Sequence, residues 1–231
     1  MFIGKIVKSD SHINYVCQIY GPREVEVEPG PPDYAFGRFV RIAVRSNQYD
    51  DPDTALDLAL GISQEPVTYA VGVIYDTILL NPAFGSLGPR LSNETQVELF
   101  SPDYISEKAV LIYVMVLGMM EQRMTPAGEP EILSTMHGVP LLSLELGSEI
   151  ETMSDEEVSA FHFFSDPDRP NGQSYLHMGY LPHIIAQRNN LLPVVTLYII
   201  DQLKRLFPRD LALLSIVERN FAWRLKVETT G

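Results

Sequence analysis

The chain has 231 residues, of which 45% are apolar and 20% charged, and its formal net charge is −13. A chain this apolar can bury a core that offsets the entropy lost on folding, which disfavours intrinsic disorder. The acidic balance disfavours binding to phosphate backbones and to anionic membrane surfaces. We therefore expect one large or two small globular domains and no direct nucleic-acid partner.

The cysteine usage and the apolar runs indicate a soluble, cytoplasmic protein. Cys17 is the one cysteine, so no intrachain disulfide can form, and its strand-like setting favours a buried thiol over a nucleophile. The N-terminal apolar run contains Lys5 and lacks a small-residue cleavage site, which is not typical of a signal peptide. The longest apolar run, Ala109–Met120, is shorter than the ~20 residues that cross a bilayer. We expect no transmembrane segment.

The first hundred residues predict short strands that are separated by turn-forming residues. Their β-branched composition, and in one case a strict period of two, are typical of strands. The only helix expected among them is a short one at Ala55–Leu60. Strands at this spacing favour a small β-barrel over a parallel sheet. The predicted strands are Phe2–Val7, Asn14–Tyr20, Glu24–Glu28, Arg38–Val44, Val67–Leu80 and Thr95–Phe100.

Beyond residue 103 the pattern changes to predicted helices. Ser154 and Glu157 have the spacing of a capping box, and Pro193 suits the first position of a helix. The predicted helices are Ser106–Met124, Ser154–Phe164, Leu181–Asn189, Pro193–Phe207 and Pro208–Arg224. The expected fold class is therefore α+β, with a small N-terminal β-barrel domain at residues 1–103 and a mainly α-helical domain at residues 104–231.

A search for catalytic and metal-binding motifs finds none. Gly85-Ser86-Leu87-Gly88 lacks the lysine of a phosphate-binding loop, and no Gly-x-Ser-x-Gly elbow occurs. The five histidines are scattered, and the calcium-like loop Asp166–Gly172 lacks the glutamate that such a loop needs. We expect no catalytic residue, no cofactor and no metal, and hence no enzyme.

Charge is segregated in the second half of the chain. Eight acidic residues and no lysine or arginine lie between Leu141 and Asp168, whereas Lys204 to Lys226 contains six basic and two acidic residues. These patches are either ordinary solvated faces or surfaces that meet within one chain or between subunits. The candidate interface residues are Arg205, Arg209, Arg219, Arg224, Glu145, Glu149 and Asp155.

The predicted helix Pro193–Phe207 is apolar on nearly all sides. A helix of this kind is either central in a core or shared with a partner. The sequence leaves both interpretations open.

The N-terminal region contains a characteristic series of segments. They are Ile3-Gly4-Lys5-Ile6-Val7, a turn at Ser9-Asp10-Ser11, Tyr15–Tyr20, Phe36-Gly37-Arg38-Phe39-Val40-Arg41-Ile42 and Tyr69-Ala70-Val71-Gly72-Val73-Ile74. This series resembles the HAS-barrel (HerA–ATP synthase barrel) family. The similarity covers about residues 1–100, and the whole chain is similar to stand-alone HAS-barrel proteins of photosynthetic bacteria. The resemblance implies a barrel that joins neighbouring subunits of ring-forming ATPases. The motor domain of those ATPases is not matched, so no ATPase activity is implied.

These observations predict a non-enzymatic assembly, adaptor or interaction protein. Its barrel and helical surfaces would contact a partner protein or further copies of the chain. One alternative is an accessory subunit of a nucleic-acid-processing ring ATPase that is supplied in trans. A less favoured alternative is an enzyme with carboxylates in a cleft between the two halves.

Overall fold

A computed structural model of the chain describes residues 1–21, 24–44, 66–80, 109–125, 128, 130–165, 174–187 and 189–228, without the side chains of 164, 165, 174 and 224–228. Three sequence predictions fall outside the described residues. They are the strand Thr95–Phe100, the short helix Ala55–Leu60 and the calcium-like loop Asp166–Gly172.

The described residues form a strand-rich first part and a helical end. The strands are β1 (Phe2–Ser9), β2 (Asn14–Ile19), β3 (Phe39–Ala43), β4 (Val67–Leu80), β5 (Ala109–Met124), β6 (Pro130–His137), β7 (Glu149–Thr152), β8 (Phe163–Ser165) and β9 (Ser174–Leu176). The helices are α1 (Asp155–His162), α2 (Leu181–Ala186), α3 (Leu192–Leu206), a 3₁₀ turn (Pro208–Asp210) and α4 (Leu211–Glu228).

Strands β1 to β7 form one antiparallel sheet in the order β2-β1-β7-β3-β4-β5-β6. The long strand β5 pairs with β4 along its whole length, and with β2 and then β6 along its other edge. Strand β2 pairs with both β1 and β5. The strands β2, β1, β7, β3, β4 and β5 therefore form a closed circuit of pairings, and β6 lies outside it. Strands β8 and β9 form a separate pair.

The predicted fold class, a small N-terminal barrel followed by a mainly helical part, is wrong. The sheet has seven strands, and β5, β6 and β7 all lie beyond residue 103. The predicted helix Ser106–Met124 is the strand β5 from Ala109 onwards. Most of β5 is buried or half-buried on both faces, so apolar residues occupy consecutive positions and hide the period of two.

The predicted N-terminal strands are confirmed at four places and wrong at one. Strands β1 to β4 confirm the predicted strands in their regions, and Cys17 is buried within β2 as expected. The predicted strand Glu24–Glu28 is wrong, because this segment forms turns and bends with one isolated bridge. Val27 is 67% exposed, so the alternating valines cover no core there.

The helices pack on the sheet and share its hydrophobic core. Helix α1 begins with the predicted capping box: the Glu157 backbone N–H donates to Ser154 Oγ, and the Ser154 N–H donates to the Glu157 carboxylate. Its buried side chains, Val158, Phe161 and His162, face the core. The ring of Phe39 on β3 meets the ring of His162 edge-on at 5.4 Å.

Helix α3 has one buried face and one exposed face. Val195, Ile199 and Leu203 are fully buried, which supports the core interpretation for that side. Tyr198 on the opposite side is 58% exposed and meets the ring of Phe36 edge-on at 5.4 Å.

Close approach of two backbones makes Gly4 a test of the β1–β2 pairing. A β-carbon added at Gly4 would lie 2.2 Å from the carbonyl oxygen of Gln18, a backbone atom that cannot turn aside. We expect Gly4→Ala to lower the free energy of unfolding by about 3 kcal/mol, measured by urea denaturation. In the control Gly21→Ala, the nearest atom is a Glu24 side-chain oxygen at 3.7 Å, so we expect a change within about 0.5 kcal/mol. Equal effects of the two substitutions would contradict the close approach.

Candidate interaction surface

Helix α4 packs against α3 through a narrow contact. Leu214 is fully buried, and Glu218 accepts a 2.6 Å hydrogen bond from Lys204 on α3. Most of the other described side chains of α4 are exposed or half-buried. The helix therefore forms a hairpin with α3 and turns one side to solvent.

The exposed side of α4 is apolar. Leu213, Ile216 and Trp223 are 51%, 50% and 68% exposed, and Asn220 is exposed between them. Their spacing of three, four and three residues places all four on one face of a helix, as in the seam of a coiled coil. We call these four residues the α4 outer face. Large apolar side chains that cluster on an exposed face are typical of protein contact sites.

The predicted basic interface residues lie around this hairpin. Arg219 is exposed at the flank of the α4 outer face, and its Nε donates to the Ser215 carbonyl oxygen at 3.3 Å. Arg205 and Arg209 are exposed at the end of α3 and in the 3₁₀ turn. Arg224 belongs to α4, but its side chain lies outside the described part.

The predicted acidic interface residues lie in two places. Glu145 and Glu149 are exposed near the start of β7, where Glu149 accepts a 2.9 Å hydrogen bond from Tyr20. Asp155 is exposed in the first turn of α1. Among the residues that the structure describes, no ion pair joins these three carboxylates to Arg205, Arg209 or Arg219. Contact between the two patches within one chain is thus not observed for these residues.

A groove of about 610 Å³ lies between α1 and the end of α3. Phe163, Leu206 and Phe207 supply apolar surface, and Asp155 and Glu156 stand at the α1 side. The rings of Phe163 and Phe207 stack with centroids 6.2 Å apart, and Phe163 is 47% exposed. We call this concavity the α1–α3 groove.

The Glu156 carboxylate of the groove does not have the character of a general acid. Hydrogen bonds from its own backbone amide and from Ser154 lower the pKa of Glu156. A general acid at neutral pH needs the opposite shift, which burial or a neighbouring negative charge would produce. Glu156 thus offers ionised charge at this rim.

A cluster of aromatic rings and histidines lies under α1. The rings of His137 and His177 stack at 4.5 Å, and His162 lies edge-on to Tyr180 at 5.5 Å. The Gly179 N–H donates to His137 Nδ1 at 3.1 Å, so the ring proton is on Nε2, which donates to the Phe161 carbonyl oxygen at 2.9 Å. Both ring nitrogens are therefore occupied, and His137 is held neutral.

His162 is held in the same way with the opposite tautomer. Its Nδ1 donates to the Val158 carbonyl oxygen at 2.8 Å, and its Nε2 accepts from the Tyr180 hydroxyl at 2.7 Å. Burial lowers the pKa of His162 to about 3 and that of His137 to about 4. His162 and Tyr180 are both fully buried, and their hydrogen bond connects α1 to the segment before α2.

Metal and thiol chemistry receive no new support from the described residues. In that part of the chain, no group of three or more histidine, cysteine, aspartate or glutamate side chains is placed to hold a metal ion. Burial raises the pKa of the Cys17 thiol, so the thiol stays protonated at neutral pH. No helix in the described ranges is long and apolar enough to cross a membrane.

Comparison with known proteins assigns the chain to a family. The model of the family described as "Domain of unknown function (DUF8166)" matches residues 1–56 and 57–230, and the chain belongs to this family. No curated protein matches the chain.

Sequence reasoning found the charged part of this surface but missed its apolar part. The spacing of Leu213, Ile216 and Trp223 is a signal in the sequence, because residues three and seven positions apart lie on one face of a helix. No sequence signal points to the α1–α3 groove, since Phe163 and Phe207 are 44 positions apart and meet only in the folded chain.

Proposed function

We propose that this protein is a non-enzymatic assembly or adaptor protein that contacts other protein subunits through the α4 outer face. The observation that carries the proposal is the exposure of Leu213, Ile216 and Trp223 on one side of a helix whose other side is buried at Leu214. Leaving three large apolar side chains in water is unfavourable, so a partner that covers them gains the free energy of their burial.

The flanking charge supports the same role. Arg219 lies beside the apolar face and is exposed, an arrangement in which a charge selects and orients a partner. A helix with apolar anchors three and seven residues apart fits the mode in which an amphipathic helix enters a hydrophobic groove. The HAS-barrel resemblance and the ring-ATPase accessory role stay predictions.

Affinity purification of the tagged protein from its native host tests the proposal. We expect a protein to co-purify in stoichiometric amount, either a different protein or an untagged copy of this chain. Ile216→Glu should abolish that association, because it places a charge at the centre of the face that the partner would bury. The measurement is quantitative mass spectrometry of the eluate.

A matched control separates this face from general surface hydrophobicity. Leu141 is 90% exposed and lies far along the chain from α4, so Leu141→Ser should leave co-purification unchanged. Both variants should fold, since both substituted side chains are exposed. Retention of the same partner by Ile216→Glu would refute a role for the α4 outer face.

A further inference from the structure

We propose that the partner of the α4 outer face is a second copy of this chain, whose α1–α3 groove receives it. Two copies related by a two-fold axis would each place the α4 outer face in the groove of the other copy, while α4 stays packed on its own α3. This inference rests on the proposed function, because it names the partner of the same surface. Apolar fit, charge and the position of the two surfaces support it.

The apolar surfaces of the helix and the groove match in kind. Trp223, the single tryptophan of the chain, is 68% exposed on the helix, and Phe163 is 47% exposed in the groove. In this groove of about 610 Å³, the stacked Phe163–Phe207 pair offers an apolar surface on which an indole ring can pack. Aromatic anchors that enter apolar pockets commonly supply most of the binding energy at protein interfaces.

The charges at the two surfaces are opposite. Asp155 and Glu156 stand at the rim of the groove, and Arg219 stands at the flank of the α4 outer face. Among the described contacts, the Arg219 guanidinium hydrogen-bonds to the Ser215 carbonyl oxygen of its own helix. An Arg219–carboxylate contact would set the register of the helix in the groove.

Other arrangements of α4 fit these observations less well. The residues that line the groove come from α1, β8 and α3, so a chain's own α4 does not fill its own groove. Two α4 helices laid face to face would bring the exposed Arg219 side chains of both copies into one interface, where their charges repel. A groove with an acidic rim avoids that repulsion.

The chain also places helix and groove next to each other. The 3₁₀ turn Pro208–Asp210 separates Phe207 in the groove from Leu211 at the start of α4. When the donor helix and the acceptor groove are neighbours, a two-fold axis can make both contacts at once and close the assembly at two copies. Each contact then counts twice in the stability of the dimer.

Light scattering of the purified full-length chain and fluorescence of Trp223 test the dimer directly. We expect a concentration-dependent mass that rises to twice the 26.0 kDa of one chain. Over the same concentrations the tryptophan emission should shift to shorter wavelength as Trp223 leaves water. A mass of one chain and a constant emission spectrum up to the highest soluble concentration would overturn the inference.

A charge exchange tests which surfaces meet. Arg219→Glu and Glu156→Arg should each weaken dimerisation by about tenfold per contact, and so by about 100-fold per dimer. An equal mixture of the two variants should dimerise again, because every contact in the mixed dimer pairs a glutamate with an arginine. The double variant should also dimerise. If each single variant loses dimerisation and the mixture does not restore it, the groove is not the acceptor and the inference fails.

The remaining outcomes separate this inference from the proposed function. If Leu141→Ser disrupts the dimer and Glu156→Arg does not, the acceptor is the exposed apolar loop before β7, and the inference fails. If the purified chain is monomeric while Ile216→Glu still loses a partner from the host extract, the inference fails and the adaptor function stands. If neither experiment shows association, both fail. Circular dichroism of each variant verifies that the fold is retained.

Discussion

Arg41→Ala is expected to lower the free energy of unfolding by about 3–5 kcal/mol, because it leaves two partly buried carboxylates without their cation. Arg41 on β3 donates from Nε and Nη2 to Glu151 on β7 at 2.9 and 2.6 Å, and from Nη1 to Glu157 on α1. The side chains of Glu151 and Glu157 are 18% and 16% exposed. One arginine thus fastens α1 to two neighbouring strands.

Two further contacts place the guanidinium firmly. Arg41 Nη1 also donates to Gln122 on β5 at 2.9 Å, and the guanidinium lies 4.6 Å from the centre of the Tyr69 ring. Burial acts to lower the pKa of Arg41, but the hydrogen bond and charge of Glu151 and the charge of Glu157 outweigh it and raise the pKa. The arginine is charged at every pH at which the protein folds. Arg41→Lys should give an intermediate loss, because an ammonium group cannot make the same set of planar contacts.

An exposed ion pair provides the control for the Arg41 experiment. Arg123 contacts Glu131 at 2.8 Å, and both side chains are 46% exposed. Water screens such a pair, so Arg123→Ala should change stability by no more than about 1 kcal/mol. Urea denaturation at pH 7 measures both variants. If Arg41→Ala costs no more than Arg123→Ala, the Arg41 contacts do not hold α1 on the sheet.

Acidification from pH 7 to pH 5 is expected to lower the free energy of unfolding by about 2 kcal/mol through each of His137 and His162, or about 4 kcal/mol for the two. Burial also lowers the pKa of His183, which adds to the loss in the same direction. Burial lowers the pKa of His162 to about 3 and that of His137 to about 4, whereas an unfolded histidine titrates near 6.5. Below pH 6.5 these two histidines bind protons in the unfolded chain but stay neutral in the folded chain. The stabilisation is therefore complete above pH 6.5 and is lost as the pH falls towards the folded pKa values.

The hydrogen bonds of His137 and His162 explain why both side chains stay neutral in the folded state. A proton on His137 Nδ1 would face the Gly179 N–H, which already donates to that nitrogen. A proton on His162 Nε2 would displace the hydrogen of the Tyr180 hydroxyl, inside a fully buried pair. Most carboxylates titrate near pH 4, so the interval from pH 5 to pH 7 isolates the histidines.

Urea denaturation at pH 5, 6 and 7 measures this dependence, and one substitution assigns it. His162→Gln removes one of these groups, so the loss of stability between pH 7 and pH 5 should become smaller by about 2 kcal/mol. The variant will be less stable than the parent at pH 7, since Tyr180 loses its partner, but the prediction concerns the slope alone. A parent protein with equal stability at pH 5 and pH 7 would exclude neutral, buried histidines.

Local features of the fold could be predicted because their causes lie within a few residues. The capping box of Ser154 and Glu157 starts α1, and a proline near the first position starts α3, as the sequence indicates. Strand β4 has the predicted limits, Val67 and Leu80. The burial of Cys17 also follows from its neighbours in a short apolar strand.

The sequence by itself therefore determined where α1, α3 and β4 begin, and that charge is segregated near the end of the chain. Only the tertiary structure decided that Ala109–Met124 is a strand, because this run takes its hydrogen-bond partners from β2, β4 and β6. It also decided that α4 has an uncovered apolar side and that Phe163 and Phe207 form a groove. Pairing and exposure depend on residues that are distant in sequence, and no local pattern encodes them.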